Sequence, residues 1–415
     1  MTAAETHDVV VAGGGPAGLA TATEAAHAGL DVLLVEREAE IGSPVHTSGA
    51  TAPATVERYG VPQELYHPIT SLRFAGPERE AVFKYDKPVL VIIDVRGTYK
   101  FLGARAAEAG VDIRTGATAR QPVLDDAGAV TGLAIEAGDE ESQLAAKVVV
   151  DASGYRAAIS KLAGLHTGFE RFGVGAEVEL IAPSCRQDEA LLIVGSRYAP
   201  AGYAWVFPWG QQRVRVGVGV HHGDVRSDPR DHLELLLTEA DRVGVDLTDA
   251  QRTEDHFGLI PADGLAPRFA GNGILAVGDA ACQATLVVGE GIRVSLDAGG
   301  EAGRVIAAAI QNGTQASGGL APYEATFRRA NERSLNIGRY INRRLATFDD
   351  EEWNEKLELL QAVPRGTLPR LLQSDFSIGT ALTMLTGHPR LWGRVARYAG
   401  RAVGERVRIP TRTTR

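Results

Sequence analysis

Residues 8–36 alternate between apolar runs and small residues in the order strand, turn, helix and strand. The β-branched run 8–12 (DVVVA) predicts a buried strand, and the helix-favouring residues 17–29 (AGLATATEAAHAG) predict a helix that stops at Gly29. The run 31–36 (DVLLVE) predicts a second strand. The pattern is that of a βαβ unit, in which the two strands are parallel.

The rest of the chain shows three further patterns. The runs 147–151 (KVVVD) and 274–279 (ILAVGD) each predict a buried strand followed by a small-residue turn and a helix. Alternating segments predict antiparallel strands over 174–182, 189–196, 203–209 and 213–222. Residues 89–119 fit a helix followed by a strand, and the pattern after Tyr323 is helical. Together these patterns predict an α/β fold with an inserted antiparallel sheet and a helical C-terminal region.

One predicted strand, 203–210 (YAWVFPWG), places an aromatic residue at every second position in a chain that is 6% aromatic. Since a strand presents alternate residues on one side, these rings share a face and the intervening residues share the other. The aromatic residues are Tyr203, Trp205, Phe207 and Trp209. That face is either ordinary core or the wall of a binding site.

Length and composition are those of a folded protein without a membrane span. The 415 residues are 44% hydrophobic and 23% charged, which suffices for two or three domains. No apolar run reaches the roughly 18 to 20 residues of a membrane span, and the N-terminus lacks the order of a signal peptide. The cytoplasm is the expected compartment. Cys185 and Cys282 are too few for a disulfide framework and lack metal-ligand spacing, so we expect no metal.

The net charge of −9 argues against a nucleic-acid partner, but the charge is unevenly distributed. The segment from Val363 to the end contains ten arginines but only one aspartate and one glutamate. Arg394, Arg397 and Arg401 lie there within apolar sequence, a pattern that suits peripheral contact with an anionic membrane or a phosphorylated substrate. The alternative is a C-terminal helix with a solvated arginine face.

The turn of the βαβ unit carries the spacing GxGxxG in Gly13, Gly15 and Gly18. These glycines allow a tight turn, close approach of a pyrophosphate and close helix packing, while the helix N-terminus offers N–H groups to the phosphates. Glu36 is placed to accept hydrogen bonds from a ribose, which favours the ADP half of FAD or NAD over NADP. The residues expected to contact the dinucleotide here are Gly13, Gly15, Ala17, Gly18, Glu36 and Arg37.

Two later segments favour FAD over NAD. The strand ending near Asp279 leads to a glycine-rich helix start, where Gly289, Gly291 and Ile292 offer backbone N–H groups. Asp279 can accept from ribityl hydroxyls, and the N–H groups can stabilise negative charge on the flavin ring. A second strand-GxGxxG-helix unit is missing from the sequence. Electrons would therefore come from transiently docked NAD(P)H or from a protein donor.

The motifs GGGPAG, VVDASG and VGDAA together resemble those of flavoproteins of the p-hydroxybenzoate hydroxylase type. Within that group the chain resembles the geranylgeranyl reductase family over roughly residues 8–310. This narrower resemblance is carried by 289–293 (GEGIR), by 200–208 (PAGYAWVFP), similar to a YxWxFP signature, and by 41–50 (IGSPVHTSGA).

The resemblance implies a Rossmann-like FAD-binding domain made of 1–75, 89–165 and 267–322. It also implies a substrate-binding antiparallel β-sheet domain of 76–88 and 166–266, and a helical region over 323–415. In such a fold Arg96 approaches the flavin, although Arg96 could equally be a surface residue at a helix start.

The chain departs from the family at positions that bear on catalysis. Many relatives carry a cysteine in the segment matching 44–49 (PVHTSG), where this chain has Thr47, so a thiol-dependent step is not available there. Cys282 follows Asp279, so its two interpretations are a thiol near the flavin and, more simply, a small buried hydrophobic residue. Tyr203, or a water held by Thr47 and His46, is the candidate proton carrier. The catalytic candidates are thus Thr47, Tyr203 and Cys282.

Two enzymatic functions and one non-catalytic function compete. The first is an FAD-dependent reductase of carbon-carbon double bonds in an isoprenoid or similar apolar substrate, with Tyr203, Trp205, Phe207 and Trp209 as the wall of its substrate cavity. The second is an FAD-dependent monooxygenase or oxidase acting on a polyene or aromatic substrate. The third is a flavin-binding protein without turnover. Halogenation is disfavoured because a WxWxIP signature is replaced by YxWxFP.

Overall fold

The computed structural model describes residues 5–224 and 227–376. Strands make two large sheets and one small sheet, and helices cover them. The strands are β1 (Glu5–Ala12), β2 (Val32–Glu36), β3 (Ala50–Thr51), β4 (Tyr66–Ile69), β5 (Ser71–Ala75), β6 (Glu80–Lys84), β7 (Leu90–Ile93), β8 (Asp112–Thr115), β9 (Ala117–Leu124), β10 (Val130–Ala137), β11 (Glu140–Asp151), β12 (Phe172–Ile181), β13 (Glu189–Ile193), β14 (Gly202–Gly210), β15 (Arg213–His222), β16 (Gln251–Pro261), β17 (Ala270–Gly271) and β18 (Ile274–Ala276). The helices are α1 (Pro16–His27), α2 (Pro53–Arg58), α3 (Val95–Glu108), α4 (Ala158–Leu162), α5 (Pro229–Thr238), α6 (Ile292–Gln311), α7 (Ala321–Leu345), α8 (Asp350–Gln361) and α9 (Leu368–Leu372).

The first sheet is parallel at its centre, where β18, β11, β1, β2 and β8 lie side by side. Successive residues of β1 enter two different cores. Val9 and Val11 pack beneath α1, α3 and α6, whereas Val10 packs on the opposite side with residues of β9, β10 and α4. Burial on both faces explains why β1 reads as a continuous apolar run. The predicted βαβ unit and α/β fold are confirmed.

The second sheet is mainly antiparallel, in the order β16, β12, β15, β14, β13, β5 and β6. One face packs on α5 through residues such as Ala204 and Val206, and the other carries Trp205 and Phe207. The four predicted strands of this region are present as β12 to β15.

Three segments differ from the predictions made from sequence. Residues 71–75, assigned above to the FAD domain, form β5 and pair with β6 and β13 in the second sheet. The run 89–119 begins with a strand, β7, which precedes α3 and pairs with β3 and β4. The largely polar segment 251–261 was not predicted as a strand but forms β16. Apart from the pairing of β5 with β6, which are close in sequence, each pairing is with a distant segment, which a local pattern does not reveal.

The predicted helical region begins with α7, α8 and α9. Among the helices of residues 5–224 and 227–376, none is long and apolar enough to cross a bilayer. The arginines 394, 397 and 401 lie outside the described residues.

Helices α1 and α6 pack closely because glycines of α6 face α1. A Cβ atom added to Gly303 would lie 2.6 Å from Cβ of Glu24 and 2.8 Å from the carbonyl oxygen of Thr21. A Cβ atom on Gly300, on the open side of α6, would meet nothing closer than 3.9 Å. Substitutions at these two glycines therefore distinguish the effect of close helix packing from the effect of helix propensity.

We expect Gly303→Ala to destabilise the protein by about 1 to 3 kcal/mol, since the helices must move apart. Gly300→Ala should instead stabilise it by up to about 1 kcal/mol, through helix propensity alone. Urea unfolding of the two variants measures both effects. Equal effects of the two substitutions would show that the contact between the helices is not tight.

Candidate active site

The turn between β1 and α1 forms a cradle of bare backbone. Gly13 has φ +118°, and a Cβ atom there would lie 2.3 Å from the carbonyl oxygen of Ala152; on Gly18 it would lie 2.0 Å from that of Gly13. Packing within the protein therefore requires these two glycines. A Cβ atom on Gly15 would meet no described atom within 4 Å, and Gly15 lines a cavity. The space in front of Gly15 suits a ligand phosphate at the N-terminus of α1.

Glu36, at the end of β2, holds the same turn. Its carboxylate accepts hydrogen bonds from the backbone N–H of Gly14 at 2.7 Å and of Glu38 at 2.9 Å. A carboxylate has about four lone-pair sites, so capacity for ribose hydroxyls is left. Arg37 lines the cavity beside it.

A second helix N-terminus faces the same cavity. Asp279 follows β18, and Gly289, Gly291 and Ile292 lead into α6; all four line the cavity. Burial raises the pKa of the Asp279 carboxyl to about 6. Because the Asp279 carboxylate has no charged partner among the described residues, hydrogen bonds from hydroxyl donors are the interactions that would stabilise its ionised form.

The cavity, called here the dinucleotide cavity, has a volume of about 1040 Å³, and its lining includes Gly15, Thr47, Tyr99 and Asp279. Two helix N-termini and the Asp279 carboxylate face it, and the Glu36 carboxylate holds the turn behind it, as a dinucleotide with a polar chain and a ring would require. The described residues thus fit FAD. Of the residues predicted to bind it, the cavity is lined by Gly15, Ala17, Arg37, Asp279, Gly289, Gly291 and Ile292, while Gly13, Gly18 and Glu36 form the turn behind it.

Arg96 does not line this cavity among its described residues. Its guanidinium donates to the Glu254 carboxylate at 2.7 Å, joining α3 to β16. Val95 and Tyr99, from the same helix, line the cavity instead. The sequence pattern therefore predicted correctly that α3 lies at the cavity, but not that Val95 and Tyr99, rather than Arg96, face it.

Two smaller cavities lie in series beside the dinucleotide cavity, each sharing lining residues with the one before it. The first, called here the chamber, has about 130 Å³ and shares Thr47 and Gly258 with the dinucleotide cavity. The second, called here the apolar tunnel, has about 260 Å³ and shares Tyr203 and Val288 with the chamber. The tunnel is lined mostly by apolar side chains of α7, α8, α9 and the second sheet, namely Phe74, Leu192, Val194, Leu345, Trp353, Leu357, Leu360, Leu368, Leu371 and Leu372.

Trp205 forms the chamber wall by lying across the neighbouring strand β15. A Cβ atom on Gly217, its cross-strand neighbour, would lie 2.3 Å from the indole ring. The bare backbone of Gly217 therefore lets the ring extend over β15 towards β12. There the indole N–H donates to the Glu177 carboxylate at 2.7 Å.

Sequence reasoning missed Glu177, His256 and Gly217. Glu177 and His256 are cross-strand neighbours, are buried, and line the chamber with Trp205. A signal for Glu177 existed in the sequence, since a glutamate within the apolar run 174–182 must face a core or a site. No local signal could identify His256, because β16 is largely polar.

Phe207 and Trp209 lie elsewhere than the predicted cavity wall. Both are buried in a core with residues of β5 and β6, and neither lines any of these three cavities. The guanidinium groups of Arg213 and Arg215 lie 3.4 and 4.3 Å from the Trp209 ring centroid. The four aromatic rings share one face of β14 as expected. That face lines the chamber at the end with Tyr203 and Trp205, and it packs in the hydrophobic core at the end with Phe207 and Trp209.

The three catalytic candidates have different surroundings. Thr47 lines both the dinucleotide cavity and the chamber. The Tyr203 hydroxyl donates to the carbonyl oxygen of Val288 at 2.5 Å, and burial raises its pKa to about 12. Cys282 is buried, its thiol contacts the carbonyl oxygen of Pro261 at 3.3 Å, and burial raises its pKa to about 12. Cys282 lines none of these cavities, so the structure brings Thr47 and Tyr203 to the site without it.

The chain is similar to known proteins over most of its length. A family model described as FAD dependent oxidoreductase matches residues 8–202, and one described as geranylgeranyl reductase catalytic domain matches residues 175–246. Digeranylgeranylglycerophospholipid reductase 2 of Methanopyrus kandleri is 31% identical, over 92% of this chain and 97% of its own length. The protein of the same name from Methanothermobacter thermautotrophicus is also 31% identical, over 88% and 94%.

Solved structures share the fold at lower identity. A geranylgeranyl bacteriochlorophyll reductase-like protein from Thermoplasma acidophilum superposes with a TM-score of 0.83 at 24% identity, covering 95% of this chain and 99% of that one. A flavin-dependent brominase superposes with a TM-score of 0.71 at 18% identity, covering 95% and 100%. These likenesses concern the fold alone.

We expect FAD affinity to rise with pH near the pKa of Asp279. Hydroxyl donors favour the ionised carboxylate, so below a pKa of about 6 binding must release a proton, which weakens affinity by about tenfold per pH unit. Titration of apoprotein with FAD at pH 5 and pH 7, followed by flavin fluorescence, measures this dependence. Asp279→Asn should bind FAD more weakly at pH 7 and lose the dependence. An unchanged dependence in that variant would assign it to another group.

Proposed function

Because the chain belongs to the geranylgeranyl reductase family of FAD-dependent oxidoreductases, we propose that it reduces carbon-carbon double bonds in the isoprenoid chains of a glycerophospholipid. The relatives that show the family are named for a lipid of this kind. The observation that carries the proposal is the apolar tunnel, which shares lining residues with the chamber, as the chamber does with the dinucleotide cavity.

The tunnel lining supports a hydrocarbon ligand. Its side chains are mostly leucine, valine and aromatic residues, and Lys356 is the one charged residue among those described in the lining. Burial of apolar surface stabilises a hydrocarbon there by about 25 cal/mol per Å², whereas a polar chain would lose its hydrogen bonds to water. An isoprenoid chain in the tunnel would present one double bond at a time to the chamber.

The residues around the chamber orient such a chain and exclude water. FAD, when bound and reduced, supplies a hydride. Trp205 forms a flat wall that its bond to Glu177 fixes, and the Tyr203 bond to Val288 joins β14 to the segment before α6. Thr47 lies where the chamber meets the dinucleotide cavity.

We further propose that the reductant of FAD docks transiently, as NAD(P)H or as a protein donor. The sequence contains a single strand-GxGxxG-helix unit, and FAD fits it. A membrane lipid as substrate also requires contact with the bilayer. The arginine-rich segment from Val363 to the end remains the candidate for that contact.

The monooxygenase or oxidase alternative is not favoured by any feature of the site. A flavin-dependent brominase, the chondrochloren halogenase and a probable FAD-dependent monooxygenase share the fold at 17 to 21% identity, and a likeness at that level does not extend to their chemistry. The relatives at 31% identity are named reductases. The reductase therefore remains the proposed function.

Anaerobic turnover tests the proposal. Holoprotein reduced by light is mixed without oxygen with digeranylgeranylglycerophospholipid, and with its fully saturated analogue as control. We expect the unsaturated lipid alone to reoxidise the flavin, with a gain of two hydrogens per double bond in the mass spectrum. Reoxidation that requires oxygen, with an oxygenated product, would establish the monooxygenase instead.

A tunnel substitution tests where the chain lies. Leu360→Trp fills part of the tunnel, so we expect it to raise KM for long-chain isoprenoid lipids by about tenfold or more, at the rough value of 1.4 kcal/mol per factor of ten. Glu358→Trp, on the exposed side of the same helix, is the matched control and should leave KM unchanged. Equal KM values for both variants would place the chain outside the tunnel.

A further inference from the structure

We propose that Glu254, His256 and Glu177 form a proton relay from solvent to the chamber, and that the Glu177–His256 pair protonates the substrate. The inference rests on the proposed function and assigns the source of its proton. The relay crosses the edge of the second sheet, from β16 to β12.

The inner end of the relay is a buried carboxylate-imidazole pair. Glu177 and His256 are directly opposite each other on β12 and β16, and Nδ1 of His256 lies 3.1 Å from Oε1 of Glu177. Their side chains are 5% and 2% exposed. Both residues line the chamber, so the pair adjoins the space in which a double bond would lie.

The outer end reaches solvent at Glu254. Nε2 of His256 lies 3.7 Å from Oε2 of Glu254, within ion-pair range, and makes no hydrogen bond among the described residues. The Glu254 side chain is 36% exposed, and its other oxygen accepts from Arg96. An imidazole between two carboxylates can take up a proton on one nitrogen and release one from the other.

The charges around the pair argue for more than a structural role. Arg215, on β15, lies 4.0 Å from Glu177 but closer, 3.4 Å, to Glu179, and also donates to two backbone carbonyl groups. Holding Trp205 in place needs only a neutral acceptor for its N–H group. Burying a carboxylate costs more free energy than burying a neutral acceptor. An ionisable group at this position is therefore expected to have a functional role.

The other titratable groups among the described residues of the chamber lining are poorer proton sources. The Tyr203 hydroxyl proton is engaged with Val288, and burial holds its pKa near 12. Burial lowers the pKa of His221 to about 4, so this imidazole is neutral, and its Nε2 accepts from the Asn342 amide. His46 is exposed, with Nδ1 bonded to the carbonyl oxygen of Phe257.

The step balances as an addition of hydride and proton. The hydride brings two electrons to one carbon of the double bond, and the proton from the Glu177–His256 pair forms the new C–H bond at the neighbouring carbon. The pair regains its proton from solvent through Glu254. The product carries no charge, and the pair returns to its starting state.

Glu177→Gln and His256→Gln test the relay in the holoprotein. The glutamine at position 177 keeps an acceptor for the Trp205 N–H group, so we expect flavin content, lipid binding and dithionite reduction to stay within about twofold. The rate of anaerobic flavin reoxidation by the unsaturated lipid should fall by roughly 100-fold or more, the usual contribution of a general acid. Its dependence on pH and its slowing in D₂O should be lost in both variants.

Glu179→Gln is the matched control, because Glu179 lies on the same strand and pairs with Arg215 but contacts neither Trp205 nor His256 in the described bonds. We expect it to keep the wild-type reoxidation rate within about threefold. A second readout needs no turnover: the imidazole nitrogen chemical shifts of His256 in apoprotein should change in Glu177→Gln and in Glu254→Gln, each of which alters a carboxylate beside the ring, but not in Glu179→Gln.

Wild-type reoxidation rates in Glu177→Gln and His256→Gln would overturn the relay and leave the proposed function intact. An equal loss in Glu179→Gln would likewise overturn it, by indicating a general effect of charge. Failure of the lipid to reoxidise the wild-type flavin would instead refute the proposed function itself.

Discussion

The parallel pairing of β1 with β2 and β11, and of β11 with β18, fixes the position of the groups expected to hold the phosphates and ribose of a dinucleotide. Parallel strands end at the same edge of a sheet, so Gly13, Glu36, Asp151 and Asp279 converge although they are far apart in sequence. The backbone N–H of Gly13 donates to the carbonyl oxygen of Val35 in β2, and the Glu36 carboxylate accepts from the backbone N–H of Gly14. This side of the cavity is thus built by the first sheet, while residues of β12, β15 and β16 in the second sheet line it as well.

The second sheet contributes to the site because a few polar contacts hold it against that edge of the first sheet. Arg215 donates to the carbonyl groups of Ser48 and Ile93, Arg96 bonds to Glu254, and Tyr203 bonds to Val288. These contacts place the aromatic face of β14 beside the dinucleotide cavity, with the chamber between them. An Arg96 expected at the flavin is instead one of the groups that hold the two sheets together.

Local pattern was sufficient for the elements that a short stretch of chain determines. The βαβ unit, the glycine turn and strands β12 to β15 all follow from periodicity and turn residues. The lining of the chamber could not be predicted from local pattern, because the cross-strand register determines which residues meet there. The pairing of Glu177 with His256, and the position of Gly217 beneath Trp205, depend on which strands become neighbours. Phe207 and Trp209 show the converse, since they repeat the pattern of Trp205 but extend past the end of the site.

The tunnel wall formed by α8 and α9 is attached to the remainder of the molecule largely through the outer strands of the second sheet. Gln361 bonds to the backbone of Val82, and the carbonyl group of Arg365 accepts from Tyr85. No described residue of α8 or α9 lines the dinucleotide cavity. The walls of the tunnel and of the dinucleotide cavity are therefore encoded largely in different segments of the chain, so the length and width of the tunnel can change without altering the residues around the dinucleotide cavity.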